Sequence, residues 1–267
     1  SIGGQGQLDT LAGLLGGLEA ATSEPDHGIT AALGGLWSSF EELALDPPDA
    51  AARTGVLGQL DTLARQVRSI AAAWSGMESN AVADIEATVD ETTRLVAEVA
   101  RLNHANSGSS AATGSPNDLM DQRDLVLDQL SRIAGVTVSV TDGGHARVSL
   151  NGLSLVHDFS VSTLTFDTAT NQILHSSGSV VRPGGELAGH HSFLYVELPK
   201  YQAGLEQFAT DLADALNTQH AAGFTQSGAA GGALLSYVPG DAARSLALAI
   251  TDPAELAVAT TSGPPVP

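Results

Sequence analysis

Two heptad runs set end to end between residues 56 and 103 constrain this chain more than any other feature. Val56, Leu60, Leu63, Val67, Ile70, Trp74 and Met77 follow at steps of 4, 3, 4, 3, 4 and 3. Val82, Ile85, Val89, Thr92, Val96, Val99 and Asn103 follow at 3, 4, 3, 4, 3 and 4. Such spacing lays one stripe along a helix and asks partner helices to pack beside it at a shallow angle, as in a coiled coil. A helix over 49–105 is roughly 80 Å long at about 1.5 Å per residue, which suits a rod better than a globule. The runs meet at a five-residue step from Met77 to Val82. That step predicts a bend, a local unwinding or a break, with Gly76 and Asn80 placed to allow it. Asn103 either sets register on the seam or lies at a frayed end.

Shorter helices flank this segment. Leu8, Leu11, Leu14, Leu15 and Leu18 form a helical face over 7–22, ended by Glu24, Pro25 and Asp26. Ile29, Leu33, Leu36, Trp37, Phe40 and Leu43 mark a second helix over 29–44. Asp46, Pro47, Pro48 and Asp49 stop it and start the long helix, with Asp46 or Asp49 as cap. A turn rich in Ser, Gly and Ala over 106–116 precedes a helix over 117–133, capped by Asn117 or Asp118 and ended by Gly135.

The period then changes to two. Val136, Val138 and Val140 alternate with polar residues, Thr141 to Gly144 is a hairpin turn, Val148 and Leu150 alternate again, and Asn151-Gly152 is a second turn. Leu153 to Val156, Val161 to Phe166 and Ile173 to Val181 add further strands. Helix returns from Gly185 to Ala222, kinked or started at Pro199. Its seam is Tyr201, Leu205, Phe208, Leu212, Ala215 and Gln219. A loop over 223–242, a strand through Leu246, Leu248 and Ile250, and a short helix over 252–259 follow. The expected fold is mainly α with an inserted small β module: an elongated rod of side-by-side long helices. Residues 1–135 with 183–222 make the rod, 136–182 with 236–260 a β-rich domain, and 261–267 a flexible end.

Composition narrows the function classes. Thirty Asp and Glu against 11 Lys and Arg give a net charge of −19, which disfavours non-specific binding to nucleic acid or an anionic membrane. No cysteine is present, so disulfides, thiolate metal sites and a thiol nucleophile are excluded. No stretch approaches a membrane span. Ser1 to Gly4 carries neither Met nor a signal pattern and reads as a boundary inside a longer protein.

Catalytic constellations are sparse. Gly3-Gly4-Gln5-Gly6 lacks the preceding strand and the lysine of a phosphate loop. His190 and His191 are adjacent, where helical metal ligands need a spacing of four, so they read as a solvated pair. Asp118, Asp121 and Asp124 line one helical face without converging oxygens from elsewhere and read as an acidic surface near Arg123 and Arg132. Glu41 and Glu42 lack the cleft that acid–base work requires, and Ser38 and Ser39 have no histidine at a revealing distance. Trp37 and Trp74 read as core. No cofactor, metal or catalytic residue is assigned.

One resemblance covers nearly the whole chain. Residues 117–133, Asn117-Asp118-Leu119-Met120-Asp121-Gln122-Arg123-Asp124 onward, resemble the signature of the bacterial flagellar hook-associated protein 1 family, the first hook–filament junction proteins. Leu212 to Phe224 resembles that family's late helix and its ending, here Asn217, His220, Gly223 and Phe224. Leu248 to Thr260 resembles the strand and short helix that follow, and Asp46 to Arg53 the start of its long helix. The family's terminal helices are not matched here, and the β region has no room for a further outer domain. The resemblance implies a flagellin-like, extracellular, self-assembling structural protein of the flagellum, secreted by type III export and not an enzyme. Implied partners are the hook protein, the second hook–filament junction protein, further copies of itself and a cytoplasmic export chaperone. A generic extracellular helical binding or adhesion module presenting the β domain is the alternative, and a hydrolase using surface carboxylates a remoter one.

Overall fold

The computed structural model describes residues 2–22, 28–107 and 116–262. The expected helix stop at Glu24 to Asp26, most of the turn over 106–116 and most of the flexible end over 261–267 lie outside these. The chain is mainly helical, with α1 (Ile2–Thr22), α2 (Ile29–Leu45), α3 (Ala50–Ser107), α4 (Pro116–Ala134), α5 (Gly185–Ser192), α6 (Leu198–Ala221) and α7 (Ala242–Ser245). It forms two compact units, Ser1–Gly16 with Met77–Leu198, and Gly17–Gly76 with Pro199–Pro267.

The long helix is unbroken over 58 residues. Val56, Leu60, Leu63, Val67, Ile70, Trp74, Ile85, Val89, Thr92, Val96, Val99 and Asn103 are all buried. The predicted unwinding or break between Met77 and Val82 is absent, because Ala81 rather than Val82 holds the seam. Ala81 is 1% exposed and Val82 half-buried. With Ala81 one heptad after Trp74 and four residues before Ile85, the stripe passes through in steps of three and four, and two successive fours, Ala81 to Ile85 to Val89, absorb the extra residue. A methyl side chain carries little hydrophobic signal, so its larger neighbour drew the reading. Gly55, Gly58 and Gly76 point into open space; each weakens the helix by about 1 kcal/mol relative to Ala without deflecting it.

In the unit built on Gly17–Gly76 and Pro199–Pro267, the core gathers Leu36 and Leu43 of α2, Val56, Leu57, Leu60 and Leu63 of α3, and Leu234, Ile250 and Leu256. Leu212 and Leu216 of α6 pack against it. Trp74 donates its indole N–H to the Leu18 carbonyl at 3.4 Å and meets Tyr201 edge-on. Trp37, expected in the core, is 71% exposed; it sits a third of a turn round α2 from Leu36. The seam of α6 also drifts. Leu205, Ala209, Ala213 and His220 are buried, Phe208 and Leu212 half-buried, and Ala215 and Gln219 exposed. A helix of 3.6 residues per turn slips off a strict 3.5 repeat by about 20° per heptad.

The expected strand over 246–250 shrinks to Ala247–Leu248 (β9), paired with Leu235–Ser236 (β8) inside the predicted loop. The expected helix over 252–259 is one 3₁₀ turn, Pro253–Glu255. The sequence groups 236–260 with 136–182, yet the two stretches fall in different units. Leu248, Ile250, Leu256 and Val258 find their apolar neighbours on α2, α3 and α6.

In the other unit, β1 (Thr137–Val140), β2 (Ala146–Leu150), β3 (Leu153–His157) and β4 (Ser160–Val161) form an antiparallel meander. β5 (Leu164–Asp167), β6 (Gln172–His175) and β7 (Val180–Val181) form a second one. Both predicted turns are present, with Gly144 at φ +81° and Asn151-Gly152 at +48° and +84°. The strand expected over 161–166 divides, β4 going to one sheet and β5 to the other. That expected over 173–181 is broken by a turn at Gly178, φ +83°.

Pro199 stands in the first turn of α6, the start that the sequence marked, and does not interrupt the helical path. It follows a π-helical turn, Phe193–Glu197, in which the Leu198 N–H bonds to Phe193 O. The wider turn accommodates a ring that would otherwise crowd the carbonyl four residues back.

On this packing, Leu63→Ala should cost about 2–5 kcal/mol and exposed Glu86→Ala under about 0.5 kcal/mol in urea titrations. Ala81→Leu should destabilise by about 1–3 kcal/mol through overpacking. A neutral result there would show that Val82, not Ala81, faces the core.

Candidate functional site

The sequence motif on α4 exposes Asn117, Asp118, Asp121 and Asp124, half-buries Leu119, and buries Arg123 to 7% exposure. The Arg123 guanidinium donates from Nη1 to Gly144 O at 2.6 Å. Its Nε has no hydrogen-bond partner and lies 3.7 Å from Asp124 Oδ1. Buried Arg123 therefore pins α4 to the β1–β2 turn. Among the described residues no group of three or more His, Cys, Asp or Glu is placed to hold a metal.

Asn103 is fully buried, and neither frayed nor packed as a heptad residue. Its amide nitrogen donates to Ala146 O and Asp158 O, both at 2.8 Å, and its oxygen accepts from Ala146 N–H at 2.9 Å. It mimics a strand neighbour, tying the end of α3 to β2. Thr93 ties the second sheet to the same helix, its hydroxyl lying 3.3 Å from Leu164 N and 3.4 Å from Leu164 O.

The late motif forms a second set of clamps. Asn217 Oδ1 accepts from Leu234 N–H at 2.7 Å and Leu235 N–H at 2.9 Å, and its amide donates to Leu235 O. His220 sits between Gly232 O and Ala257 N–H, each 2.8 Å away. That pairing selects the neutral imidazole with its proton on Nδ1, donating to Gly232 O and accepting at Nε2. Gly223 and Gly231 are required by closeness: a Cβ would lie 3.0 Å from Ala257 O and 2.2 Å from His220 O respectively. Phe224 pairs by backbone with Ala259. Glu206 receives Ala242 N–H and Ala243 N–H at 2.7 and 2.9 Å. Sequence reading passed over Glu206 because its partners lie far along the chain.

At the start of α3, Asp49 is the cap, its oxygens accepting from Ala51 N–H and Ala52 N–H at 3.1 and 3.2 Å. Arg53 is 3% exposed and donates to the carbonyls of Pro47, Pro253 and Leu256. Desolvation lowers its pKa from the ordinary arginine value.

His190 and His191 are not the solvated pair read from the sequence. Both are half-buried, and burial pushes both imidazoles below the usual histidine value. For His190 the nearby Asp84 and Glu186 carboxylates pull weakly the other way.

These residues anchor loops and helix ends. A sequence profile of the flagellar hook-associated protein FlgK helical domain matches residues 15–235. The chain belongs to the FlgK family of flagellar hook-associated proteins. Flagellar hook-associated protein 1 of Escherichia coli K12 is 31% identical to it across 73% of this chain and 39% of its own length. The protein of that name from Bacillus subtilis 168 is 27% identical across 88% of this chain and 54% of its own. The flagellar hook junction protein FlgK from Burkholderia pseudomallei superposes with a TM-score of 0.75 at 27% identity, covering 89% of this chain and 46% of that one. The chain thus spans between about two fifths and just over half of these relatives. The resemblance carried by 117–124 and 217–224 is borne out, and the mainly helical fold with small antiparallel sheets is that of the FlgK structure.

Two outcomes follow for these FlgK-family residues. Asn103→Ala and His220→Ala each leave buried backbone groups unpaired and should each cost about 2–3 kcal/mol, with faster hydrogen exchange at Ala146 and Ala257 respectively. Depressed imidazoles make the unfolded chain the better proton acceptor as pH falls through about 6.5. The stability they contribute is present above that pH and lost on acidification toward their folded values. The urea midpoint should fall between about pH 7.5 and pH 5.5, and by less in a His190→Gln, His191→Gln double variant.

Proposed function

We propose that this chain is the helical portion of a flagellar junction subunit that joins hook to filament. The observation that carries the reading is the match of the FlgK helical domain over 15–235. The residues of the family-like motifs support it by closing the fold: Arg123 on the β1–β2 turn, and Asn217 and His220 on 232–257. The seam through Val56, Leu60, Leu63, Val67, Ile70, Trp74, Ile85, Val89, Val96 and Val99 serves as a packing spine, to which α6 adds buried Leu205 and half-buried Phe208 and Leu212.

As such a subunit, the protein is secreted by the flagellar export apparatus, is held by a chaperone before export, and works outside the cell. It contacts the hook protein, the second junction protein and copies of itself. The role is structural and uses no cofactor. Among the described residues, no helix is long and apolar enough to cross a membrane.

Deleting the coding region for this chain in its own bacterium should leave hooks without filaments, with filament protein released to the medium. Adding back the full-length gene should restore filaments, scored by electron microscopy and swimming. Normal filaments in the deletion strain would overturn the reading.

A further inference from the structure

A groove of about 420 Å³ lies beside the start of α3, between Pro47, Pro48 and Phe224 on its apolar side and Val258, Thr260 and Thr261 at its rim. Arg53 lines it. Three of the five guanidinium N–H groups are committed, Nε to Pro47 O at 2.7 Å and both of Nη1 to Pro253 O and Leu256 O at 3.2 and 2.7 Å. Nη2 bonds to no described residue, and no described carboxylate lies within ion-pair distance. Both oxygens of the neighbouring Asp49 are taken up by helix N–H groups. Other arginines of this acidic chain, such as Arg94, Arg101 and Arg244, keep a carboxylate at 2.6–2.7 Å. Arg53, the buried cation among the described residues of this unit, holds its charge against carbonyl dipoles, a costly arrangement.

We propose that this groove docks an extended, carboxylate-bearing segment of a neighbouring subunit, its carboxylate on Arg53 Nη2 and its adjacent apolar side chain on Pro47, Pro48 and Phe224. Charge complementarity selects the occupant. A carboxylate on the two Nη2 N–H groups of a desolvated guanidinium forms a short, charge-assisted pair and neutralises the buried cation. The backbone beside the groove favours an extended partner. Phe224 and Ala259 already exchange hydrogen bonds at 2.8 and 3.2 Å. The next residues, Thr260 and Thr261, are exposed and make no backbone bond to a described residue, so they offer an edge for strand addition. The source of the segment as a neighbouring subunit rests on the junction reading; the chemistry of the groove does not.

The test is an NMR titration of the ¹⁵N-labelled chain with the capped tripeptide acetyl-Leu-Glu-Leu-amide, its Gln counterpart, and sodium acetate. The acidic peptide should shift the Arg53 side-chain Nε signal and the Gln226 and Thr260 amides in a saturable way. It should bind at least about tenfold tighter than the Gln peptide or acetate, as expected where one charge-assisted pair decides affinity. Arg53 also braces the fold, so the variant to use is Thr261→Glu. It sets a competing carboxylate at the exposed rim and should weaken the acidic peptide at least about tenfold while leaving distant amides unchanged. Equal binding of the two peptides, an acetate response as strong as the peptide's, or no response at all would each overturn the proposal. None of these would alter the outcome of the deletion test for the junction reading.

Discussion

The uninterrupted apolar stripe of α3 is the constraint on which the rest of the structure depends. Its first half, Val56 to Trp74, supplies the core of one compact unit, and its second half, Ala81 to Asn103, belongs to the other. Burying these positions offsets the backbone entropy of ordering a helix far longer than its own propensity supports, with three glycines inside it. Everything attached to α3 is short by comparison. The strands run two to five residues, and the helical turn at α7 four. Such elements hold their shape only because a long element gives them a surface.

Polar side chains do the attaching. Asn103, Asn217, His220, Arg53 and Glu206 each bond to backbone groups distant in sequence. A loop that packs against a helix must find partners for its N–H and C=O groups, and these side chains supply them with near-ideal geometry. The same arithmetic accounts for the ring of His220 and the carboxylate of Glu206. His220 has both ring nitrogens spent on Gly232 and Ala257, and Glu206 has both oxygens spent on the start of α7. Arg53 is the exception, its Nη2 bonding to no described residue.

Glycine enters at the closest approaches. Gly135, at φ +67°, lies so near Gly184 that a Cβ there would be 2.7 Å from its Cα, and one on Gly3 would sit 2.7 Å from Ser131 O. These glycines let the start of α1, the end of α4 and the start of α5 meet backbone to backbone. The two small sheets depend on turn residues in the same way, with Asn151, Asp158 and Asn171 in the left-handed region.

Local pattern determined a great deal of this protein. The helices at 29–45, 50–107 and 116–134, the hairpin at Thr141 to Gly144 and the seam from Val56 to Trp74 follow from spacing, caps and turn chemistry, which act over a few residues. The motif residues Arg123, Asn217 and His220 were legible as a pattern, though not as clamps, because their partners lie 12 to 37 positions away. Tertiary packing alone decided that Ala81 takes the seam from Val82, that Trp37 faces outward, and that α6 turns Ala209 and Ala213 inward. It also decided that 236–260 joins the helices of its own unit rather than the sheets. Hydrophobicity ranks side chains by size, whereas a packed seam selects by fit, and the space left for Ala81, Ala209 and Ala213 exists only once the neighbouring elements are in place.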